Sequence, residues 1–425
     1  MATLLQLFYL TLAYLLSPIV LIYRYRSCQN YPVMKERWLE FFGFYSSPSL
    51  SNVIFIHAAS VGELEAITPL VHKLLKNYPT TPLLITTATN NGAIQVKKLF
   101  NDSVYHVFLP YDIPFAVNRF FAHFQPKIAI IVETEIWPTL FNSCSKNNIP
   151  LLLVNARLSE KSLQRYLKIK PLVGAVLAKI DLLLAQTHVD ALRYQTLGMD
   201  KNKLSVSGNS KLDMPIPMQL QAEGLRLKKE LFANKLVWII GSTHTHEDEI
   251  FIRLYQQLKL NFPSLLLILA PRHEKRFAPI KNLCSDRQLK LISRSSHQPC
   301  TLETDVFLLD SIGELKLFYA AADCSFVAGS ITPVGGHNIL EPALLNIPVM
   351  FGPYMANSQQ TVVQMLAAKA CIQCKTEQDI YQQFTLLMTD VIAKKTLINN
   401  AAHFIQDNRG VVDKMVAAID RFLNR

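Results

Sequence analysis

The chain has 425 residues, half of them hydrophobic and only 18% charged, which excludes a disordered chain and exceeds the roughly 250 to 300 residues that a single core can serve. Its 43 lysines and arginines against 32 aspartates and glutamates suit a phosphorylated or anionic partner, but no basic run interleaved with aromatics, zinc finger or RNA-binding signature is present, so nucleic acid is not an expected partner. The cysteines are odd in number and scattered, as reduced thiols are, and Cys371-x-x-Cys374 lacks the second pair or nearby histidine of a zinc site.

Residues 1–23 carry no charged side chain, and the apolar run from Leu4 to Tyr23 is about as long as a bilayer-spanning helix needs to be. Arg24, Arg26, Lys35 and Arg37 follow, and positive flanks stay inside, so residues 1–30 read as a membrane anchor with a basic flank and the rest as cytoplasmic. The charged start and small-residue cleavage site of a secretory leader are missing; a buried core helix is the other reading. Trp38, Phe41, Phe42, Phe44 and Tyr45 then form an aromatic cluster, either ordinary core or a seat at the membrane interface.

From Val53 the pattern alternates short apolar strands with helices. Strands are expected at residues 53–57, 83–86, 106–109, 128–132, 151–154, 182–185 and 204–206, and after Met214-Pro215-Ile216-Pro217, which reads as a linker, at 236–240, 265–269, 290–292, 306–309, 324–327 and 349–351. Such alternation predicts an α/β fold of two doubly wound parallel-sheet domains, 31–215 and 216–425. Ligands in these sheets bind beyond the carboxyl ends of the strands, so facing domains would enclose a cleft there.

The candidate residues sit at those ends. His57-Ala58-Ala59-Ser60-Val61-Gly62-Glu63 follows the first strand: Gly62 leaves room for a substrate and Glu63 offers a carboxylate, with helix capping as its structural alternative. Glu133-Thr134-Glu135 follows the fourth, two acids that do not belong unpaired in a core, with no third ligand to make a metal site. Lys211, in Gly208-Asn209-Ser210-Lys211-Leu212-Asp213, could neutralise phosphate or pair with Glu133. In the second half, Gly241-Ser242-Thr243-His244-Thr245-His246 opens a helix, and its two histidines diverge too far to be a ligand pair. Arg272 of Pro271-Arg272-His273 can fork onto a phosphate or carboxylate. The turn Ser311-Ile312-Gly313-Glu314 can hydrogen-bond a base through its backbone. The loop from Gly329 to Pro342, with Gly335 and Gly336, lets backbone N–H groups approach an anion, while Glu341 can accept from ribose hydroxyls. Neither G-x-G-x-x-G nor G-x-x-x-x-G-K-[ST] occurs, against a typical dehydrogenase or P-loop enzyme.

Taken in order after an apolar N-terminus, His57 to Glu63, Glu133 to Pro138, Gly208 to Asp213, Gly241 to His244, Pro271 to His273 and Pro333 to Pro342 closely resemble the 3-deoxy-D-manno-octulosonic acid (Kdo) transferases, lipid A-modifying glycosyltransferases of the Gram-negative inner membrane. The resemblance covers essentially the whole chain. It implies a GT-B fold, an acceptor-binding first domain and a second domain that binds the donor CMP-Kdo, with no cofactor or metal. It places the general base on Glu63, groups that steady the transition state on Glu133 and Lys211, and donor contacts on Pro271 and Arg272, on Ile312, Gly313 and Glu314, and on Asn338, Ile339, Leu340 and Glu341. The phosphorylated lipid A precursor would be the acceptor. One departure is visible: His246 stands where the family commonly has glycine. Another membrane-associated GT-B transferase with a different nucleotide sugar, and a catalytically inactive scaffold on the same fold, are the alternative readings.

Overall fold

The computed structural model describes residues 25–29, 31–214, 218–232 and 235–424. The anchor expected over Leu4 to Tyr23 therefore lies outside the described residues; among those described, no helix is long and apolar enough to cross a membrane. The chain forms two units, one of residues 1–214 with 408–425, the other of residues 215–407.

The first unit is built on a sheet in the order β3-β2-β1-β4-β5-β6-β7. Its strands are β1 (Val53–His57), β2 (Leu83–Thr87), β3 (Tyr105–Phe108), β4 (Pro126–Val132), β5 (Leu151–Ala156), β6 (Leu182–Ala185) and β7 (Leu204–Val206), and every pairing is parallel. Helices cover both faces, which is why β1 reads as an uninterrupted apolar run instead of an alternating one. Val53, Phe55, Ala129 and Ile131 face one core, and Ile54, Ile56, Ile128 and Ile130 face the other, the period-two division a strand imposes. Phe41 and Phe42 are buried beside Phe108, and Tyr45 packs on Phe120 and Phe124, while Phe44 is half exposed beneath Arg119. The aromatic cluster is thus mostly core.

The second unit repeats the architecture in the order β10-β11-β9-β8-β12-β13-β14, again all parallel. Its strands are β8 (Leu236–Thr243), β9 (Leu265–Pro271), β10 (Leu291–Ser293), β11 (Val306–Leu308), β12 (Cys324–Val327), β13 (Val349–Phe351) and β14 (Ile372–Gln373). The pattern did not announce β14, whose two residues are too few to carry a period. It lies between Cys371 and Cys374, whose buried thiols are pushed up to about 12 by desolvation.

The second domain expected over 216–425 is shorter. The helix Val411–Leu423 buries Val411, Met415, Val416 and Ile419 in the first unit's core, against the helix Val61–Asn77. Asp213 fixes its start by accepting from the N–H groups of Gly410 and Val412. A strongly amphipathic helix signals only that it must be buried, and the sequence does not say against which sheet.

Both sheets reverse their winding at one place, between β1 and β4 in the first unit and between β8 and β12 in the second. Such a switch point opens a crevice at the carboxyl ends of the strands, where doubly wound sheets hold ligands.

Candidate functional site

In the first unit the carboxylates gather at the switch point. Ser60 caps the helix Val61–Asn77, its Oγ accepting from the Glu63 N–H at 3.3 Å. The Ala59 N–H donates back to Glu63 Oε2 at 2.6 Å, so the capping duty and the site duty fall on the same side chain. Desolvation, reinforced by repulsion from Glu133 and Glu135, pushes the Glu63 carboxyl up from 4.5 to about 7 against the opposing pull of the Ala59 bond. A carboxyl so placed changes protonation state near neutral pH, where a general base is most effective. Beside it, Gly62 is exposed, and a side-chain carbon added there would meet nothing within 4 Å.

Glu133 follows β4 directly, with its N–H bonded to the Val154 carbonyl at 3.0 Å and a φ of 60°. A non-glycine residue in the left-handed region stores about 1 to 2 kcal/mol, a cost that clusters at functional sites. Glu135 Oε2 lies 3.9 Å from Nε2 of His57, the fully buried last residue of β1. Lys211 occupies the turn Ser210–Asp213, which packs on the helix bearing Glu63. The Ser210 N–H donates to Asn155 Oδ1 at 3.1 Å, tying that turn to the end of β5. Among the described residues no ion pair joins Lys211 to Glu133. The fold thus brings Glu63 and Glu133 together, sets Lys211 on a neighbouring turn and adds Glu135 and His57.

In the second unit, Pro271 closes β9, and the Arg272 N–H donates to the Thr243 carbonyl at 3.1 Å, holding Arg272 beside the end of β8. Ile312 is exposed and Gly313 turns at a φ of 92°. The Glu314 side chain is occupied: Arg294 grips it through Nη2 at 2.8 Å and Nε at 3.1 Å, holding the carboxyl below its usual range. The backbone of Ile312 and Gly313 is thus the part of this turn that its own ion pair leaves uncommitted. Ile339 and Leu340 have buried side chains. Asn338 Oδ1 accepts from the Leu340 N–H at 3.1 Å, and Asn338 Nδ2 reaches Glu341 Oε1 at 3.4 Å.

The glycine-rich loop corrects an expectation. The N–H groups of Gly329, Ser330 and Ile331 do point at an anion, but it is the fully buried carboxylate of Glu247, at 2.8, 3.1 and 3.1 Å. Glu247 also accepts from the His244 N–H at 3.0 Å, joining the ends of β8 and β12 across the switch point. This loop is organised by the protein's own acid, so its first N–H groups are not available to a ligand. His244 does not pair with His246; its Nε2 lies 2.9 Å from Nε2 of His337, with the rings stacked, and His273 stands edge-on to it. Desolvation first, then Arg272 and the neighbouring histidines, lower His337 to about 4, which leaves it a neutral donor or acceptor near pH 7. Among the described residues, no group of three or more His, Cys, Asp or Glu side chains could hold a metal ion. Glu247 and His337 were missed because their partners come from distant strands, which no linear motif displays.

Residues 36–214 match the family described as 3-deoxy-D-manno-octulosonic-acid transferase (kdotransferase). A 3-deoxy-D-manno-octulosonic acid transferase of Haemophilus influenzae is 35% identical over 423 residues, covering 99% of each chain. One of Rickettsia felis is 32% identical over 375 residues, 88% of this chain and 80% of that one. Among solved structures, a UDP-GlcNAc 2-epimerase from Neisseria meningitidis bound to UDP-GlcNAc is similar with a TM-score of 0.59 over 86% of this chain and 98% of that one; at 16% identity the likeness is one of fold.

Proposed function

The chain belongs to the 3-deoxy-D-manno-octulosonic acid transferase family, and from that premise we propose that its two units compose a GT-B glycosyltransferase that moves Kdo from CMP-Kdo to the lipid A precursor, with Glu63 as the base. One observation carries the assignment of Glu63: it is a carboxyl at a switch point, raised to about 7 by burial and two neighbouring acids. A sugar hydroxyl is a poor nucleophile, so Glu63 takes its proton as the oxygen attacks the anomeric carbon of Kdo. The bond to CMP breaks with its electron pair going to the phosphate oxygen. CMP is a good leaving group, so no general acid is needed, and attack opposite the departing phosphate inverts the anomeric centre.

Arg272, beside Pro271, holds the donor's phosphate or carboxylate as a planar fork. The turn of Ile312, Gly313 and Glu314 meets the base through its backbone, and Asn338 to Glu341 meet the ribose, whose hydroxyls suit the Glu341 acceptor. Glu133 and Lys211 steady the transition state, the Glu133 carboxylate facing the positive charge that develops on the sugar ring and the Lys211 ammonium the negative charge that develops on the departing phosphate. An anchor over Leu4 to Tyr23, with the arginines after it, would keep the enzyme at the cytoplasmic face of the inner membrane, beside its lipid substrate.

The test offers purified full-length protein CMP-Kdo or UDP-sugars together with tetraacyl lipid A precursor and weighs the products. A mass gain of Kdo with CMP-Kdo alone is the expected result; transfer from a UDP-sugar, with none from CMP-Kdo, would replace the donor.

A further inference from the structure

His57 is the buried group that the mechanism leaves without a task. It is fully buried at the end of β1. Its Nδ1 lies 2.8 Å from Oγ1 of Thr86, the matching residue of β2, and its Nε2 has no hydrogen-bond partner although it is buried. The ring stands edge-on to Trp137, 6.1 Å between centroids. Glu135 Oε2, of the same acid cluster as Glu63, lies 3.9 Å from Nε2. That distance is too long for a hydrogen bond, but contacts of this kind tighten, or take in a water, when substrate fills a site.

The tautomer follows from the surroundings. A bare nitrogen lone pair turned toward a carboxylate is repelled, whereas an Nε2–H is attracted; Thr86 can then donate its hydroxyl hydrogen to Nδ1. Glu135 also faces Tyr166 of the helix Glu160–Leu167, and Glu133 faces Tyr194 of the helix His188–Thr196. Glu63 faces Glu133, Glu135, the Ala59 N–H and the Ser60 hydroxyl. Among these neighbours, two can favour negative charge on Glu135, the Tyr166 hydroxyl and the His57 ring, and only the ring has a buried nitrogen left without a hydrogen-bond partner.

We infer that His57 is a positioning residue of the transfer reaction: its Nε2–H steadies negative charge on Glu135, so that a proton entering the acid cluster settles on Glu63. The inference rests on Glu63 being the base. It makes His57 act through Glu135, without touching substrate. A charge kept on Glu135 repels charge on Glu63 and so makes Glu63 a stronger base, which speeds proton removal from the acceptor hydroxyl.

The experiment is the pH dependence of kcat/KM for the acceptor in the full-length protein, its His57→Asn and His57→Gln variants, and the same changes in a Glu135→Gln background. Asparagine can keep the bond to Thr86 but cannot reach Glu135, whereas the glutamine amide can. The parent should lose activity as pH falls through about 7. His57→Asn should move that limb down by about one pH unit and lower the plateau by about tenfold, with KM for CMP-Kdo unchanged, and His57→Gln should restore the limb. In the Glu135→Gln background, His57→Asn should move the limb no further. An unmoved limb in a His57→Asn protein that melts like the parent overturns the inference, as does an equal shift without the Glu135 charge. Nitrogen NMR of the His57 ring in the unmutated protein gives a second check that does not depend on a variant folding: a proton on Nε2 is expected at pH 8, and a proton on Nδ1 alone overturns it. Near-native turnover of Glu63→Gln would remove the base assignment itself; an inactive Glu63→Gln beside an unmoved His57→Asn limb removes only the role of His57.

Discussion

Glu63 ties stability to pH in a direction opposite to that of a salt-bridged acid. Its folded value of about 7 lies above the 4.5 of an unperturbed glutamate, so between those values the folded chain holds a proton that the unfolded chain has released. Its contribution to stability is therefore full below about 4.5 and is lost as pH rises to about 7, a total of about 3 kcal/mol. Glu63→Gln removes the penalty: the variant should melt above the parent at pH 8, and the gap should narrow toward pH 5. A gap independent of pH would place Glu63 in a less buried, less crowded setting. His246 makes a second residue-scale case. It precedes the helix Glu247–Asn261 with a φ of 74°, the left-handed region in which a side chain costs about 1 kcal/mol and glycine almost nothing. His246→Gly should therefore raise the melting temperature by a few degrees while leaving transfer unchanged, and a lower melting temperature would show the imidazole to be holding something. The resemblance implies a glycine at this place, and the backbone angle, which the sequence does not display, gives the physical reason.

The strands were legible because a parallel sheet buried on both faces writes itself as short apolar runs between helices. Glu63, Glu133 and Arg272 stood out for a related reason, being charged residues directly after such runs. What stayed hidden was long-range. The loop after β12 has the composition of an anion-binding loop and does bind an anion, but the anion is Glu247, from the helix after β8. Likewise His244 finds its partner in His337, not in its near neighbour His246. The start of the helix Val61–Asn77 yields a prediction at this scale. Gly62 lies in its first turn, where a methyl group would meet open space, so Gly62→Ala should stabilise the helix by up to about 1 kcal/mol. If acceptor approaches Glu63 over this glycine, the same methyl group should raise the acceptor KM by about tenfold or more, since small displacements at a reacting centre are costly. A more stable variant with unchanged kcat/KM would mean that the acceptor comes from another side.

For the whole molecule, the family match over residues 36–214 understates what the first unit needs to fold. Met415 and Ile419, both fully buried, belong to its core, and each buried side chain of that size contributes about 1.5 to 3 kcal/mol. Losing several at once approaches the 5 to 15 kcal/mol that holds a typical domain together. Ending the chain after Asp407 should therefore abolish soluble, cooperatively melting protein, and a truncated chain that melts like the parent would contradict this packing. Domain order could be read from the linker, whereas the return of the last helix could not, because amphipathicity carries no address. The central claim, that Glu63 removes the acceptor's proton, is tested most directly by the transfer rate of Glu63→Gln and Glu133→Gln at saturating CMP-Kdo and lipid A precursor, with folding checked by thermal melt. Glu63→Gln should keep its fold and lose about 10² to 10⁴-fold in kcat. A well-folded Glu63→Gln enzyme with near-native turnover, beside an inactive Glu133→Gln, would contradict the claim and pass the role of base to Glu133.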